Sequence, residues 1–473
     1  MLTATLIKDK ESFPIEITEN SRYALFIKFQ TDFLFADPAT QGHHDFDRVI
    51  LRIEDERFEL DSCRFLPMPT GNPPEGWLVF LTGLHDMSEL LSRKKLITSD
   101  VSFWNLSLIL GQKDRIPHQF KELSSNLTFE LSVCKQFFDD LDRKYIKEPG
   151  QVQEELKMQV IQKEGRDFLD FFHSKTLELH ALTEGLDKEQ HQNQGFFFRK
   201  QIWEYILHSK FLTRVNLKPR GYAGDYEMMR MIYDNEYVGG SIFAKLMHKY
   251  PLETKSAEAV RNRKVMVPRL IDAAYSEKKE RGNNEPFRIM SIACGPATEI
   301  HGIFSQPESF EKFELTLLDQ DQEALLAAKS SVHSVEMNSG KKIKVDYRAE
   351  SVRILSRTTY LSRHPGKFDF IYSMGLFDYL IPQVAGIIFT TLYNLLKPGG
   401  QLIIGNFHRD CPDKTFLEYW CDWVLYYRSK EDMLQLTQSR NPLMRRVLLD
   451  PTGCQMFLQV IAGPEAESSI KEP

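Results

Sequence analysis

A chain of 473 residues, 42% hydrophobic and 27% charged, exceeds one ordinary hydrophobic core and reads as a globular protein of two or three domains. Its formal net charge of −6 offers no general attraction to a polyanion, which argues against nucleic acid as a partner. The opening residues MLTATLIKDKESF lack the basic-then-apolar order of a signal peptide, and no apolar run reaches bilayer length. Six cysteines without a CxxC imply neither a disulfide framework nor a zinc site, so the expectation is a cytoplasmic protein with no metal and no stable membrane insertion.

The first 118 residues read as a β-rich domain. FPIEITENSRYALFIKF, RVILRIEDERFELDSCRFL and WLVFLTGL alternate apolar and polar residues between turn-formers, the pattern of half-buried antiparallel strands. DPATQGHHDFD reads as a polar loop, and its His43 and His44 as solvated side chains. NSRYALFIKF resembles a strand of the PilZ β-barrel, a family that binds cyclic di-GMP through an upstream arginine motif and a glycine-containing strand. Here no RxxxR precedes it, and Ala24 and Leu25 stand where the glycine is expected. The resemblance therefore implies a barrel whose nucleotide site is lost.

Residues 119–280 read as a helical substrate or lid region. LSVCKQFFDDLDRKY, VQEELKMQVIQKEGRDFLDFFHSKTLELHAL and GFFFRKQIWEYILHSKFL carry apolar residues three and four apart. EPGQ and EGLDKEQHQNQG interrupt them. Phe168, Phe171, Phe172 and Phe196 to Phe198 fall at helical spacing and read as packing between helices, with the wall of a lipid-sized cavity as the sharper alternative. KPRGYAGDYEMM follows, then an amphipathic helix carrying AVRNRK, and the polar EKKERGNNEP closes the region.

From Phe287 strands alternate with helices, which implies an α/β fold with a mostly parallel sheet and ligands at the strand C-termini. FRIMSIACGPATEI runs a buried strand into a turn with one glycine, not the GxGxxG of a pyrophosphate site. FELTLLD ends on Asp319, 24 residues past Gly295, where a carboxylate can accept both hydroxyls of a ribose. KVDYRAESVRIL, FDFIYSMGLFDYL and QLIIGNF supply three more strands. The ligand expected is adenosine-like and lacks a diphosphate.

IACGPA, the acidic end of the second strand, LLKPGG before the fifth, and RVLLDPTGCQMFLQVIA as a closing antiparallel hairpin together resemble a class I S-adenosylmethionine-dependent methyltransferase. The resemblance covers residues 281–473 and implies a Rossmann-like sheet of seven strands. The matching motifs run from Phe287 to about Ala462 within that domain, and imply S-adenosylmethionine as cofactor, with Ala293, Cys294, Gly295 and Pro296 beneath its methionine part. Asp319 and Gln320 would hold the ribose and flank the adenine, Glu350, Ser351 and Val352 would lie at the adenine edge, and Ser373, Met374 and Gly375 would face the transferred methyl.

After the fifth strand, His408 and Arg409 stand where acceptor-binding groups commonly lie. TFLEYWCDWVLYYRSK reads as one aromatic helix, on which Trp420, Trp423 and Tyr427 share a face. RGYAGDYEMM, AVRNRK and WVLYYR narrow the resemblance to the extracellular-factor, 3-hydroxypalmitic acid methyl ester biosynthesis group. That implies O-methylation of the carboxylate of a fatty acid or other small organic acid. The alternatives are a protein carboxyl methyltransferase and a non-catalytic cofactor-binding regulator.

KPRGYAGDYEMM itself reads as a lid over the transfer centre. Gly221 and Gly224 allow a tight path, Asp225 caps a helix starting near Glu227, and Tyr222, Asp225 and Tyr226 are held at defined positions. Arg261 and Arg263 are expected to meet a carboxylate of the cofactor or the acceptor. Asp225, Tyr226, Trp423 and Tyr427 are candidate acceptor-binding residues, and Tyr222, Arg261, Arg263, His408 and Arg409 candidate catalytic ones.

Overall fold

The computed structural model describes residues 2–9, 11–21, 24–30, 44–53, 56–60, 62–67, 75–80, 113–351 and 368–464. The chain forms two compact units, one of residues 1–110, 350–365 and 381–395 and one of 111–349, 366–380 and 396–473.

The first unit holds an eight-stranded antiparallel sheet. Its strands are β1 (Leu2–Lys8), β2 (Glu11–Ser21), β3 (Ala24–Phe29), β4 (His44–Phe46), β5 (Arg48–Ile53), β6 (Glu56–Leu60), β7 (Cys63–Pro67) and β8 (Glu75–Phe80). They run in the order β4-β7-β8-β3-β2-β1-β5-β6. The period-two pattern is met: Leu25, Ile27 and Phe29 are buried and Phe26 and Lys28 are not. The expected loop around His43 and His44 needs correction. His43 lies outside the described residues, and His44 opens β4, whose Phe46 is buried against Phe13 and Phe29. β4 and β5 form one strand bent at Asp47, the first half pairing with β7 and the second with β1.

The second unit begins with seven helices: α1 (His118–Tyr145), α2 (Gly150–Thr183), α3 (Lys188–Ile206), α4 (Lys210–Leu217), α5 (Tyr226–Asp234), α6 (Ile242–Glu253) and α7 (Lys255–Glu280). The break between α2 and α3 is shorter than EGLDKEQHQNQG suggested, because Asp187 and Gln190 form a capping box that starts α3 at once. Phe168, Phe172 and Phe198 are core residues, as the packing reading expects, while Phe196 stays exposed.

The sheet of this unit comprises β9 (Phe287–Ile292), β10 (Phe313–Asp319), β11 (Lys344–Ala349), β12 (Phe368–Ser373), β13 (Leu396–Phe407), β14 (Met444–Leu449) and β15 (Gln455–Ile461). Its order is β11-β10-β9-β12-β13-β15-β14, parallel except that β15 is antiparallel to both β13 and β14. Between the strands lie α8 (Ile300–Ile303), α9 (Ser309–Lys312) and α10 (Gln322–Ser339), with α11 (Pro382–Asn394), whose residues fall in the first unit, and α12 (Lys430–Gln435). LLKPGG does not precede β13 but bulges inside it. Leu396 pairs with Phe368 and Gln401 with Phe370, and Gly399 turns through φ +77° so that its N–H reaches Ala462 O.

α7 belongs to two cores. Its first turns, Ala257, Ala259 and Val260, pack with the helices, and Val267, Ile271 and Ala274 pack with the sheet face of Ile289, Leu317 and Tyr372.

The aromatic segment after β13 is not the expected helix. Phe416–Trp420 makes one π-turn, Asp422 takes φ +48°, and the chain then runs extended, with Tyr426 N donating to Asp378 O. A left-handed residue ends a helix, so Trp423 and Tyr427 do not share a face with Trp420. Trp420 is fully buried, with ring centroids 4.1 Å from Phe172 and 5.1 Å from Phe198.

Candidate cofactor and acceptor site

The chain leaves β9 through a turn that no regular element supplies. Ala293, Gly295 and Ala297 have φ of +53°, +55° and +49°. Alanine occupies that region only at a cost of about 1–2 kcal/mol, and such strain concentrates where a backbone must present itself to a ligand. The loop is held by its neighbours: Cys294 N donates to Leu318 O (3.1 Å), and Ser331 of α10 donates to Pro296 O (2.8 Å). A Cβ placed on Gly295 meets nothing within 4 Å, so open space lies above it.

Asp319, buried at the end of β10, organises the loop. Its Oδ2 accepts from Gly295 N (2.8 Å) and its Oδ1 from Asp321 N (2.9 Å). Burial raises its pKa, while the N–H groups of Asp321, Gly295 and Gln320 pull it down. Each carboxylate oxygen keeps a second lone pair, so this donor and acceptor set fits the hydroxyl pair of a ribose. Glu350 and Ser351 follow β11 directly, and Val352 lies outside the described residues.

KPRGYAGDYEMM closes over this end of β10. Gly221 adopts φ +79°. Arg220 pairs with Asp321 at 2.7 Å and with Glu323, both at the start of α10, and stacks on the Tyr226 ring at 4.7 Å. Tyr222 faces the acidic cluster, its hydroxyl pKa pushed up by burial and then by the charges of Asp319, Asp321 and Asp225. Its ring meets that of Tyr379 edge-on at 6.4 Å.

Gly224 is required by close approach, since a Cβ there falls 2.5 Å from both Trp423 Cζ2 and Tyr379 Oη. Asp225 does cap the helix, which starts at Tyr226, next to Glu227, and it accepts from Met228 N. Its buried carboxylate is also gripped by Arg214 at 2.7–3.0 Å, and Tyr226 OH donates to Glu323. Both side chains thereby help to hold the segment.

The two arginines of α7 separate. Arg263 is buried, donates from Nε to Gln455 Oε1 (2.5 Å), and places Nη1 3.4 Å from a Cβ built on Gly375. Among the described residues it forms no ion pair, although the charges of Glu299 and Asp378 are both felt nearby. Arg261 instead donates to Leu252 O (2.6 Å) and Ile232 O, tying α6 to α5 away from the transfer position.

His408 and Arg409 directly follow β13. The His408 ring accepts from Asp410 N, and Arg409 is exposed. Ser373 is buried and donates to Ile292 O, while Met374 O accepts from Gln455 Nε2 (3.2 Å), which leaves Gly375 to face Arg263.

Three polar residues went unrecognised in the sequence. Arg428, buried, donates to Phe377 O (2.7 Å) and Leu380 O (2.6 Å) and so fixes the turn after β12. Asp378 accepts from Phe407 N (2.6 Å); burial pushes its pKa up to about 6 against the pull of Arg263 and Arg428. Glu299 accepts from Tyr372 OH (2.8 Å), and burial raises its pKa too. The sequence signal for Glu299 and Asp378 was position, next to the turns after β9 and β12, and Arg428 had none of that kind.

Beside Phe407 lies an apolar cavity of about 20 Å³, lined among others by Val260, Phe416, Leu417, Trp423 and Leu425. Trp423 thus belongs to a cavity wall. Tyr427 does not: its hydroxyl is buried without a hydrogen-bond partner among the described residues, beneath Lys414.

The fold is α/β, with a seven-stranded mixed sheet consistent with a Rossmann-like methyltransferase. Over 138 residues the chain is 27% identical to a ubiquinone biosynthesis O-methyltransferase of Dechloromonas aromatica (strain RCB). The match takes in 29% of this chain and 52% of that protein, so the chain spans about half the length of the curated relative it matches. Among solved structures it is similar to a possible exported protein from Bordetella parapertussis (14% identity, 63% of this chain, 97% of that one, TM-score 0.42). It is also similar to magnesium protoporphyrin IX methyltransferase from Synechocystis PCC 6803 with bound SAM (11% identity, 44% and 84%, TM-score 0.30). No family model matches the chain.

Proposed function

We propose that the protein is an S-adenosylmethionine-dependent methyltransferase that esterifies the carboxylate of a small apolar acid, such as a fatty acid. The observation that carries the reading is Arg263, a buried guanidinium without an ion pair among the described residues, set between Gly375 and Phe407, whose ring also lines an apolar cavity. A buried cation of this kind is stabilised by an incoming anion, and an apolar acceptor would have to widen the cavity beside Phe407, whose volume of about 20 Å³ has room for little more than a water.

The cofactor supplies an electrophilic methyl on a sulfonium. The loop from Ala293 to Pro296 would pass beneath its methionine part, with Asp319 and Gln320 at the ribose and adenine and Glu350 and Ser351 at the adenine edge. Arg263 would orient the acceptor carboxylate so that one oxygen lies in line with the methyl. The sulfonium would act as the leaving group, retaining the C–S electron pair as the ester oxygen takes the methyl. A carboxylate carries no proton to lose at neutral pH, so no general base is needed, and the protein's contribution is alignment and exclusion of water. Tyr222, above Asp319, would complete the cover.

We further read the first unit as a barrel closed through the bent β4–β5 strand, PilZ-like in form and without the arginine motif. The chain is read as a cytoplasmic member of the 3-hydroxypalmitic acid methyl ester biosynthesis group.

The test is incubation with methyl-labelled cofactor and a panel of straight-chain acids, amines and alcohols, followed by mass spectrometry of small molecules and of protein. Methyl esters of acids that vanish with Arg263→Gln are expected. Labelled protein carboxyl groups, or cofactor binding with no product from any acceptor, would each overturn the acid-esterification reading.

A further inference from the structure

Outside the cofactor site, two thiols far apart in sequence meet. Cys411 follows β13 in a turn closed by Cys411 N to His408 O (3.0 Å), and Cys454 immediately precedes β15. β13 and β15 pair antiparallel as far as Phe407 and Gln455, and His408 N extends the ladder to Cys454 O (2.8 Å). The backbone therefore brings both residues to the same end of one strand pair, with the Sγ atoms 2.8 Å apart and both side chains buried.

We propose that Cys411 and Cys454 are a covalent dithiol site that closes to an intramolecular disulfide with a hydroperoxide as oxidant. One sulfur attacks a peroxide oxygen, breaking the O–O bond and releasing water as it becomes a sulfenic acid. The second sulfur then attacks that sulfur, the S–S bond forms, and the hydroxyl leaves with the remaining thiol proton as a second water. Two electrons pass from the sulfur pair to the peroxide, and two thiols with one hydrogen peroxide give one disulfide and two waters.

A small neutral oxidant suits a buried site. Burial and the neighbouring sulfur hold the Cys411 thiol protonated, so the reaction is slower than at an exposed thiolate.

A metal fits the same residues less well. Asp413 lies within 4.8 Å of both sulfurs, but it already accepts from Ser256 N (2.5 Å), and no fourth ligand joins among the described residues. Two thiolates at ~2.3 Å on tetrahedral zinc stand roughly 3.8 Å apart, well beyond the separation here.

The cross-link would tie the start of the 408–428 segment to the closing hairpin. That segment supplies Phe416, Leu417, Trp423 and Leu425 to the cavity wall. The proposal stands on the thiol geometry alone and does not depend on the methyl acceptor.

The test uses the full chain, purified reduced, treated with hydrogen peroxide, alkylated under denaturing conditions and mapped without reductant. The expected product is one species joining the Cys411 and Cys454 peptides, lighter by two hydrogens than their sum, with titratable thiols reduced by two. Cys411→Ser and Cys454→Ser should each abolish it. The proposal fails if both cysteines are recovered alkylated after a treatment that oxidises the partly exposed Cys134. It also fails if the disulfide links two chains, or if the purified protein carries stoichiometric zinc that protects both sulfurs.

Discussion

Replacing Gly224 by alanine isolates one steric contact between the lid and the segment after β13. The glycine is not in a left-handed conformation, so alanine is tolerated by the backbone, and only the added methyl is new. Its Cβ falls 2.5 Å from Trp423 Cζ2 and from Tyr379 Oη, and 3.2 Å from Trp423 Cη2. Neither neighbour yields easily, because Trp423 is buried and its Nε1 donates to Tyr379 OH at 2.9 Å. Overpacking costs about 1–3 kcal/mol, and a strained indole–phenol hydrogen bond about 1 more, so Gly224→Ala should lose about 2–4 kcal/mol. Urea unfolding reads that loss, and calorimetric titration with S-adenosylhomocysteine reads whether the displaced lid weakens the site. Trp423→Phe removes both ring carbons, so the double variant should recover at least ~1 kcal/mol relative to additivity. Gly221→Ala, at φ +79°, should cost about 1 kcal/mol through backbone strain with no coupling to Trp423. A Gly224→Ala protein within about 0.5 kcal/mol of wild type, or an additive double variant, would refute the contact.

Asp319→Ala leaves Gly295 N and Asp321 N without their acceptor and should weaken S-adenosylhomocysteine at least about tenfold, or ~1.4 kcal/mol by titration; unchanged affinity would remove Asp319 from the site. Trp420→Ala should cost about 3–5 kcal/mol. Trp420→Phe should cost no more than ~1 kcal/mol, because the indole N–H is buried without a partner among the described residues; a Phe variant as unstable as the Ala one would contradict this. His248, buried and accepting from Phe211 N, has its pKa pushed down to about 4, by burial first and then by Lys210 and Lys249. Its stabilising effect is full above the unfolded pKa near 6.5 and is lost as pH falls toward 4, about 2 kcal/mol of it between pH 7 and 5. Asp378, raised to about 6, runs the opposite way and gains stability as pH falls, so the test compares wild type with His248→Gln at both pH values; parallel losses would sink the assignment.

The sheet was legible because its strands are buried apolar runs ending in turn residues, and the ends of β9 and β10 follow directly from that register. Asp319 was found for that reason. What the sequence concealed depends on contacts between distant segments. Asp225 was legible as a helix cap, but not its buried pairing with Arg214, eleven residues earlier. The aromatic run after β13 has helical spacing, yet its partners Phe172, Phe198 and Asp378 lie on other elements, and satisfying them breaks the helix at Asp422. Cys411 and Cys454 meet only because β13 and β15 pair. Arg261 and Arg263 were a missed opportunity. Two residues on a helix point about 200° apart, so both could not have faced one site.

That angular argument also explains the architecture of the second unit. Backbone groups at the ends of β9 and β10 can grip a ligand only from below, since strand termini present N–H and C=O groups and few long side chains. The groups that face the open side must come from elsewhere. They come from α7, which extends past the sheet with Val267 and Ile271 in its core and delivers Arg263 one turn earlier. They also come from the α4–α5 connection, clamped to α10 by Arg220 and bearing Tyr222 over Asp319. α7 spans both cores, so a substitution that loosens the helical core at Val260 should move Arg263, three residues on, relative to Gly375. On the proposed reading, the helical region contributes to the site and is not a spacer before it. Destabilising it should change acceptor turnover before it changes cofactor affinity, because Asp319 and the loop it holds lie on the sheet side of that helix.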